Sequence, residues 1–129
     1  MAIRVVRLGT PRAPGEGLRL GTVRRPPRGV KKGDYARLDF FDLPLAELAP
    51  SADLLAFAHA EPLTPKRWAA FARKYRAEMR RPTPRDLIAL LAALSRQTDF
   101  SVGCYCEDPA RCHRSLLADL LRGAGANMV

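Results

Sequence analysis

Cysteine is scarce in this sequence: three residues in 129, an odd number. An odd set without a leader argues against the disulfide framework of a small secreted domain. Each thiol is then structural, a metal ligand or reactive. Long apolar runs are also missing. The longest is Leu87 to Leu94, eight residues, where a membrane-spanning helix needs about 20. Arg4 and Arg7 fall where a signal peptide carries apolar side chains, so a cytoplasmic location without a membrane partner is expected. Acids are nearly absent from the first quarter. Residues 1–33 hold nine Lys/Arg and one acid, Glu16, a balance of +8; residues 34–129 hold thirteen Lys/Arg and twelve acids, a balance of +1. That asymmetry draws anions such as a nucleotide, a nucleic acid or an acidic protein. The plainer alternative is a solvated basic face.

What is present suits one α/β domain. Hydrophobic residues make up 47% of the chain, enough for a core of ordinary size, and 129 residues suit a single domain over 1–129. Ala2–Leu8 reads as a strand because Ile3, Val5 and Val6 are β-branched. A Gly/Pro-rich loop runs from Gly9 to Gly17, followed by a second strand over Leu18–Val23. Paired prolines at Pro26 and Pro27 force a loop. Tyr35–Phe41 alternates in the manner of a third strand. The second half is helical. Ser51 caps one helix, carrying Leu54, Leu55 and Ala58 inward. Thr64-Pro65 opens another, whose Trp68, Phe71, Ala72, Tyr75 and Met79 make one apolar stripe. Such a stripe suits a core better than a base-stacking platform. Thr83 with Asp86 caps a third helix through Leu87–Leu94. Phe100–Cys106 is an apolar strand, and Asp108-Pro109 opens a last helix that buries Leu116, Leu117, Leu120 and Leu121 and ends at Gly123. The final few residues are expected to fray. Strand, helices, strand and helix in this order predict a compact three-layer α/β domain with a small sheet, at least partly parallel.

One segment is chemically dense: 104-CYCEDPARCHR-114. Cys104 continues the apolar face of Phe100 and Val102 and reads as a small core residue. Cys106, the last strand residue, faces the carboxyl edge where open α/β sheets bind ligands, just before a helix start that would lower its pKa. Cys112 lies four before Leu116, which favours burial. His113 is either a satisfied, partly buried histidine or a partner of Cys106 or a substrate. Arg111, Arg114 and Ser115, with the free N–H groups of the helix start, could hold a phosphate or carboxylate; surface solvation or pairing with Glu107, Asp108 and Asp119 is the alternative.

Zinc on Cys104, Cys106, Cys112 and His113 is the weaker choice, and no cofactor is expected. Cys-x-Cys on a straight strand holds its sulfurs about 7 Å apart, since residues rise about 3.3 Å each. Adjacent Cys112 and His113 would point about 100° apart on a helix. A phosphatase loop fails as well, because Cys106 is followed by Arg111 after four residues rather than five and no histidine precedes it.

The sequence resembles the bacterial domain of unknown function 488 family, in particular its YeaO-like, cysteine-bearing members. The likeness lies in Ile3–Arg7, in Val23-Arg-Arg-Pro-Pro-Arg-Gly-Val30, in the run from Glu47-Leu-Ala-Pro-Ser51 through Trp68, Phe71, Tyr75 and Glu78, and in Cys104 to Ser115. It implies a compact three-layer α/β domain and supplies no reaction. Many members read Asp-Arg-Leu-Trp-Pro-Arg-Gly where this chain reads Arg24-Arg-Pro-Pro-Arg-Gly29, so only the Pro-Arg-Gly end carries over.

Three functions compete. In the first, an enzyme or anion-binding domain uses Cys106 as nucleophile or redox thiol and His113 as base or orienter, with Arg28 and Arg114 holding an anionic substrate. In the second, Arg24, Arg25, Arg28, Lys31 and Lys32 meet nucleic-acid phosphates. In the third, the chain is an interaction protein whose Cys–His segment is structural.

Overall fold

The computed structural model describes residues 1–108 and 111–129. The β-branched run Ile3–Arg7 forms β1, Leu18–Gly21 forms β2, Leu43–Pro44 forms a two-residue β3 and Phe100–Cys104 forms β4. They assemble in the order β1-β4-β2-β3, and every pairing is parallel. The register aligns Val5, Val102 and Leu20 across the sheet. β4 is central and buried along its whole length, as a parallel strand covered on both faces must be. The α/β class and the parallel sheet therefore hold, and the pairing is wholly parallel.

Among the described residues the α-helices are α1 (Ala52–Ala60), α2 (Pro65–Met79), α3 (Pro82–Leu94) and α4 (His113–Gly123). Their buried side chains meet Ile3, Phe100 and Val102 in one apolar cluster. The caps of the first two helices are those the sequence predicts. Ser51 Oγ accepts from Leu54 N at 3.1 Å and Thr64 Oγ1 from Arg67 N at 3.2 Å. The α2 stripe is core: Phe71, Ala72, Tyr75 and Met79 are buried, Trp68 is half-buried, and the Trp68, Phe71 and Tyr75 rings stack in series.

The other face of the sheet carries Arg19 and Ser101, so its covering layer is polar and built of loops. Arg19 is fully buried. Its Nε and Nη2 donate to the Glu16 carboxylate at 2.8 and 3.0 Å, and its Nη1 donates to the carbonyls of Thr10 and Asp39. Ser101 Oγ donates to Glu16 at 2.9 Å. Such a pair is tolerable because every nitrogen of the guanidinium finds an acceptor. Gly17, at φ +79, admits no side chain, since a Cβ would meet Asp99 O at 2.0 Å.

Several sequence expectations are corrected. Tyr35–Phe41 is no strand: turn hydrogen bonds such as Leu38 N to Asp34 O and Phe40 N to Tyr35 O, with Asp39 at φ 62, curl it over the polar face. The third strand lies just beyond, at an edge where Pro44 can forgo its N–H. Helix α3 begins at Pro82 with Arg81 as its cap, so Thr83 lies inside it. β4 ends at Cys104, two residues early. Helix α4 begins at His113 with Cys112 as N-cap, not at Asp108-Pro109; Pro109 itself lies outside the described residues. The terminal residues are tied to β1, with Ile3 N donating to Asn127 O at 2.8 Å and Val129 N to Ile3 O at 2.9 Å. Among the described residues no helix is long and apolar enough to cross a membrane.

Candidate functional site

The site forms where β4 stops and α4 starts. Cys104, the last residue of β4, points into the apolar side and is buried. Beyond it the chain leaves the sheet, so the two sulfurs of the Cys-x-Cys run are not held at strand spacing. Cys112 has extended backbone, φ −125 and ψ 146, as the N-cap of α4, and its thiol is also buried. The three sulfurs of Cys104, Cys106 and Cys112 lie within 4.8 Å of one another. Only Cys106 is exposed. The separation of about 7 Å expected for a straight strand is thus overturned by the early end of β4.

The cluster shares its protons unequally. Hydrogen bonds from the Cys104 and Cys112 thiols outweigh the cost of burial and, with the charge of Arg114, hold Cys106 far below the usual thiol range. Cys104 is pushed up to about 11, chiefly by its hydrogen bond to Cys106. Cys112 is raised by its hydrogen bonds to Cys104 and Cys106 and by burial. Of the three thiols, only the solvent-facing Cys106 is shifted toward the thiolate form.

His113 is 7% exposed. Its Nε2 lies 2.8 Å from the Thr22 carbonyl and 3.3 Å from Thr22 Oγ1. A carbonyl can only accept, so Nε2 carries the proton. Burial lowers the ring to about 4, which leaves it neutral at pH 7 with a lone pair on Nδ1, 3.8 Å from Cys112 Sγ. Thr22 is itself locked to β4, donating from N and Oγ1 to Gly103 O at 2.9 and 3.0 Å. The Tyr75 ring packs against the imidazole at a centroid distance of 5.6 Å, and its hydroxyl donates to Leu48 O at 2.8 Å. The expectation of a satisfied, buried ring fits the surroundings of His113, and its other ring nitrogen lies near Cys112 Sγ.

Arg114 is buried, 4% exposed. Its Nη2 donates to Cys106 O at 2.8 Å, while its Nε has no partner. Surface solvation is thereby ruled out for this side chain. The other predicted anion ligands lie elsewhere. Arg111 Nη1 donates to Leu63 O at 3.1 Å, and Ser115 Oγ donates to Cys112 O at 2.9 Å, closing the first turn of α4. Arg28 is exposed and does not line the cavity beside Cys106.

That cavity, about 370 Å³, is bounded by Arg24, Arg25, Pro50, Leu55, His59, Cys104, Cys106 and His113 among others. Arg24 and Arg25, rather than Arg28, line this cavity. Arg24 Nε donates to Pro50 O at 3.0 Å, and Tyr105 Oη donates to Arg25 O at 2.9 Å; these contacts fix the 23–26 segment as a wall. Burial raises Tyr105 to about 12, so it remains a donor. His59, on the last turn of α1, was missed. Its signal is the i, i+4 spacing from Leu55, which sets both on one helix face.

A family model described as the active DUF488-N3 subclade, DUF488-N3a, matches residues 3–125. No curated protein and no solved structure matches the chain. The matched span takes in the sheet, all four helices and every residue of the cysteine site: the chain belongs to the DUF488-N3a family.

Proposed function

We propose that this chain is an enzyme that binds a small anionic substrate in the cavity at the carboxyl end of its sheet, with Cys106 as the thiolate nucleophile. One observation carries the reading. The only exposed sulfur of the cluster opens into a cavity walled by two arginines, while two buried sulfurs lie within 4.8 Å behind it. Arg24 and Arg25 draw the anion in, Cys106 attacks, and Arg114 holds the Cys106 backbone while offsetting its charge. His113 orients the cluster through its link to Thr22. The family's description as an active subclade agrees with chemistry rather than with a purely structural segment.

The test uses metal-free protein and two alkylating agents that differ in charge. In each, the sulfur displaces iodide, forming an S–C bond as the C–I bond breaks. Anionic iodoacetate is expected to label Cys106 faster than neutral iodoacetamide, the reverse of a free thiol. Arg25→Gln should cut that preference at least threefold. Labelling no faster than that of a small-molecule thiol, with no preference for the anion, refutes the reading.

A further inference from the structure

The same junction offers more than a nucleophile. Its three sulfurs converge from separate parts of the fold: Cys104 from the end of β4, Cys112 from the cap of α4 and Cys106 from the loop between them. Tetrahedral zinc–thiolate bonds of about 2.3 Å place sulfurs roughly 3.8 Å apart. From a spread of 4.8 Å, each sulfur need move inward by at most about 0.6 Å. Two of them are anchored on regular elements and buried, and the exposed third sits on a loop that can close the set. The extended backbone at Cys112 brings its Sγ to 3.8 Å from His113 Nδ1; the ring nitrogen is not within 4.8 Å of all three sulfurs, so the imidazole would have to shift toward them to complete a four-ligand set. His113 already donates its other ring nitrogen to the Thr22 carbonyl, the arrangement that orients metal-bound imidazoles.

Charge is consistent with that geometry. Arg114 is a buried cation, its Nε is unpartnered, and no carboxylate pairs with it among the described residues. Three thiolates, a neutral imidazole and a divalent ion sum to −1, the same counter-charge to this guanidinium that a Cys106 thiolate gives without metal.

We propose that Cys104, Cys106 and Cys112 bind one divalent ion of the zinc class, with the His113 imidazole turning inward as fourth ligand, and that its occupancy removes the Cys106 sulfur from reaction. Binding forms three metal–sulfur bonds and one metal–nitrogen bond, sends the thiol protons to solvent and transfers no electrons. Metal binding stands apart from the proposed nucleophile; only the silencing of Cys106 rests on that reading.

Metal-free protein titrated with cobalt(II) should develop the visible bands of tetrahedral thiolate coordination, saturating at one ion per chain. Zinc should bleach them and slow Cys106 alkylation by iodoacetamide at least tenfold. Cys106→Ser alters an exposed position, so its fold should persist and its affinity should fall at least tenfold. X-ray absorption of the zinc form should give three sulfurs and one imidazole nitrogen. Octahedral cobalt spectra, affinity unchanged in Cys106→Ser, or two or fewer sulfurs around zinc would overturn the proposal. The charge preference of alkylation, read on metal-free protein, tests only the nucleophile, so the two readings fail separately.

Discussion

At the scale of single residues, the site is built from positions whose chemistry the sequence shows and whose convergence it does not. Cys106, His113 and Arg114 stand out as a thiol, an imidazole and a guanidinium near a helix start. That Cys112 is a cap rather than a helical residue depends on where the helix begins, and no propensity at Asp108 or Arg111 reveals it. Arg24 and Arg25 sit in a proline-rich loop whose path is set by the distant carbonyl of Pro50 and hydroxyl of Tyr105. Two predictions belong here. Arg114→Gln removes a buried positive charge beside Cys106 and should slow Cys106 alkylation at pH 7 about tenfold, equivalent to about 1.4 kcal/mol, as read by mass spectrometry of the labelled peptide. Tyr105→Phe deletes one hydrogen bond to Arg25 O. It should cost about 1 kcal/mol of stability and weaken the preference for iodoacetate, because the arginine wall loses its tether.

At the scale of elements, β1, β2, the body of β4 and the first two helices follow from patterning and caps. Ser51 and Thr64 each accept the predicted N–H. The misses have physical causes. Tyr35–Phe41 alternates like a strand, but Asp39 at φ 62 and local turn bonds outweigh alternation. Arg81, with no side-chain oxygen to offer, caps α3 because two prolines follow closely and favour the first turn. β4 also holds the site in place through Gly103, whose carbonyl fixes Thr22 and thereby His113. A Cβ on Gly103 would meet Val6 O at 2.6 Å and Leu8 Cδ2 at 2.9 Å. Gly103→Ala should therefore destabilise the fold by about 1–3 kcal/mol, measurable as a lower urea midpoint with an unchanged slope.

At the scale of the whole molecule, the polar loop layer beneath the sheet is the part least visible in the sequence, since an arginine flanked by Leu18 and Leu20 reads as a solvent-facing strand residue. Arg19 is instead the most deeply buried cation, matched to Glu16. Burial alone would raise the Glu16 carboxyl, but hydrogen bonds from Arg19 and Ser101 outweigh it and bring the group down to about 2 from an ordinary 4.5. A carboxylate depressed in the folded state contributes stability that is fully present above its unfolded pKa and is lost as pH falls through the folded one. Denaturation by urea at a series of pH values should show stability falling below about 4.5, and falling further toward about 2. Glu16→Gln should abolish most of that slope and cost about 3–5 kcal/mol at pH 7, because Arg19 would stay buried without its counter-charge.

The most direct measurement compares the three thiols of one metal-free chain. Brief alkylation at pH 7, followed by peptide mapping, should place nearly all label on Cys106, with Cys104 and Cys112 reacting only after unfolding. Equal labelling of the three, or label on Cys104 or Cys112 ahead of Cys106, would contradict a single exposed thiolate at the mouth of the cavity.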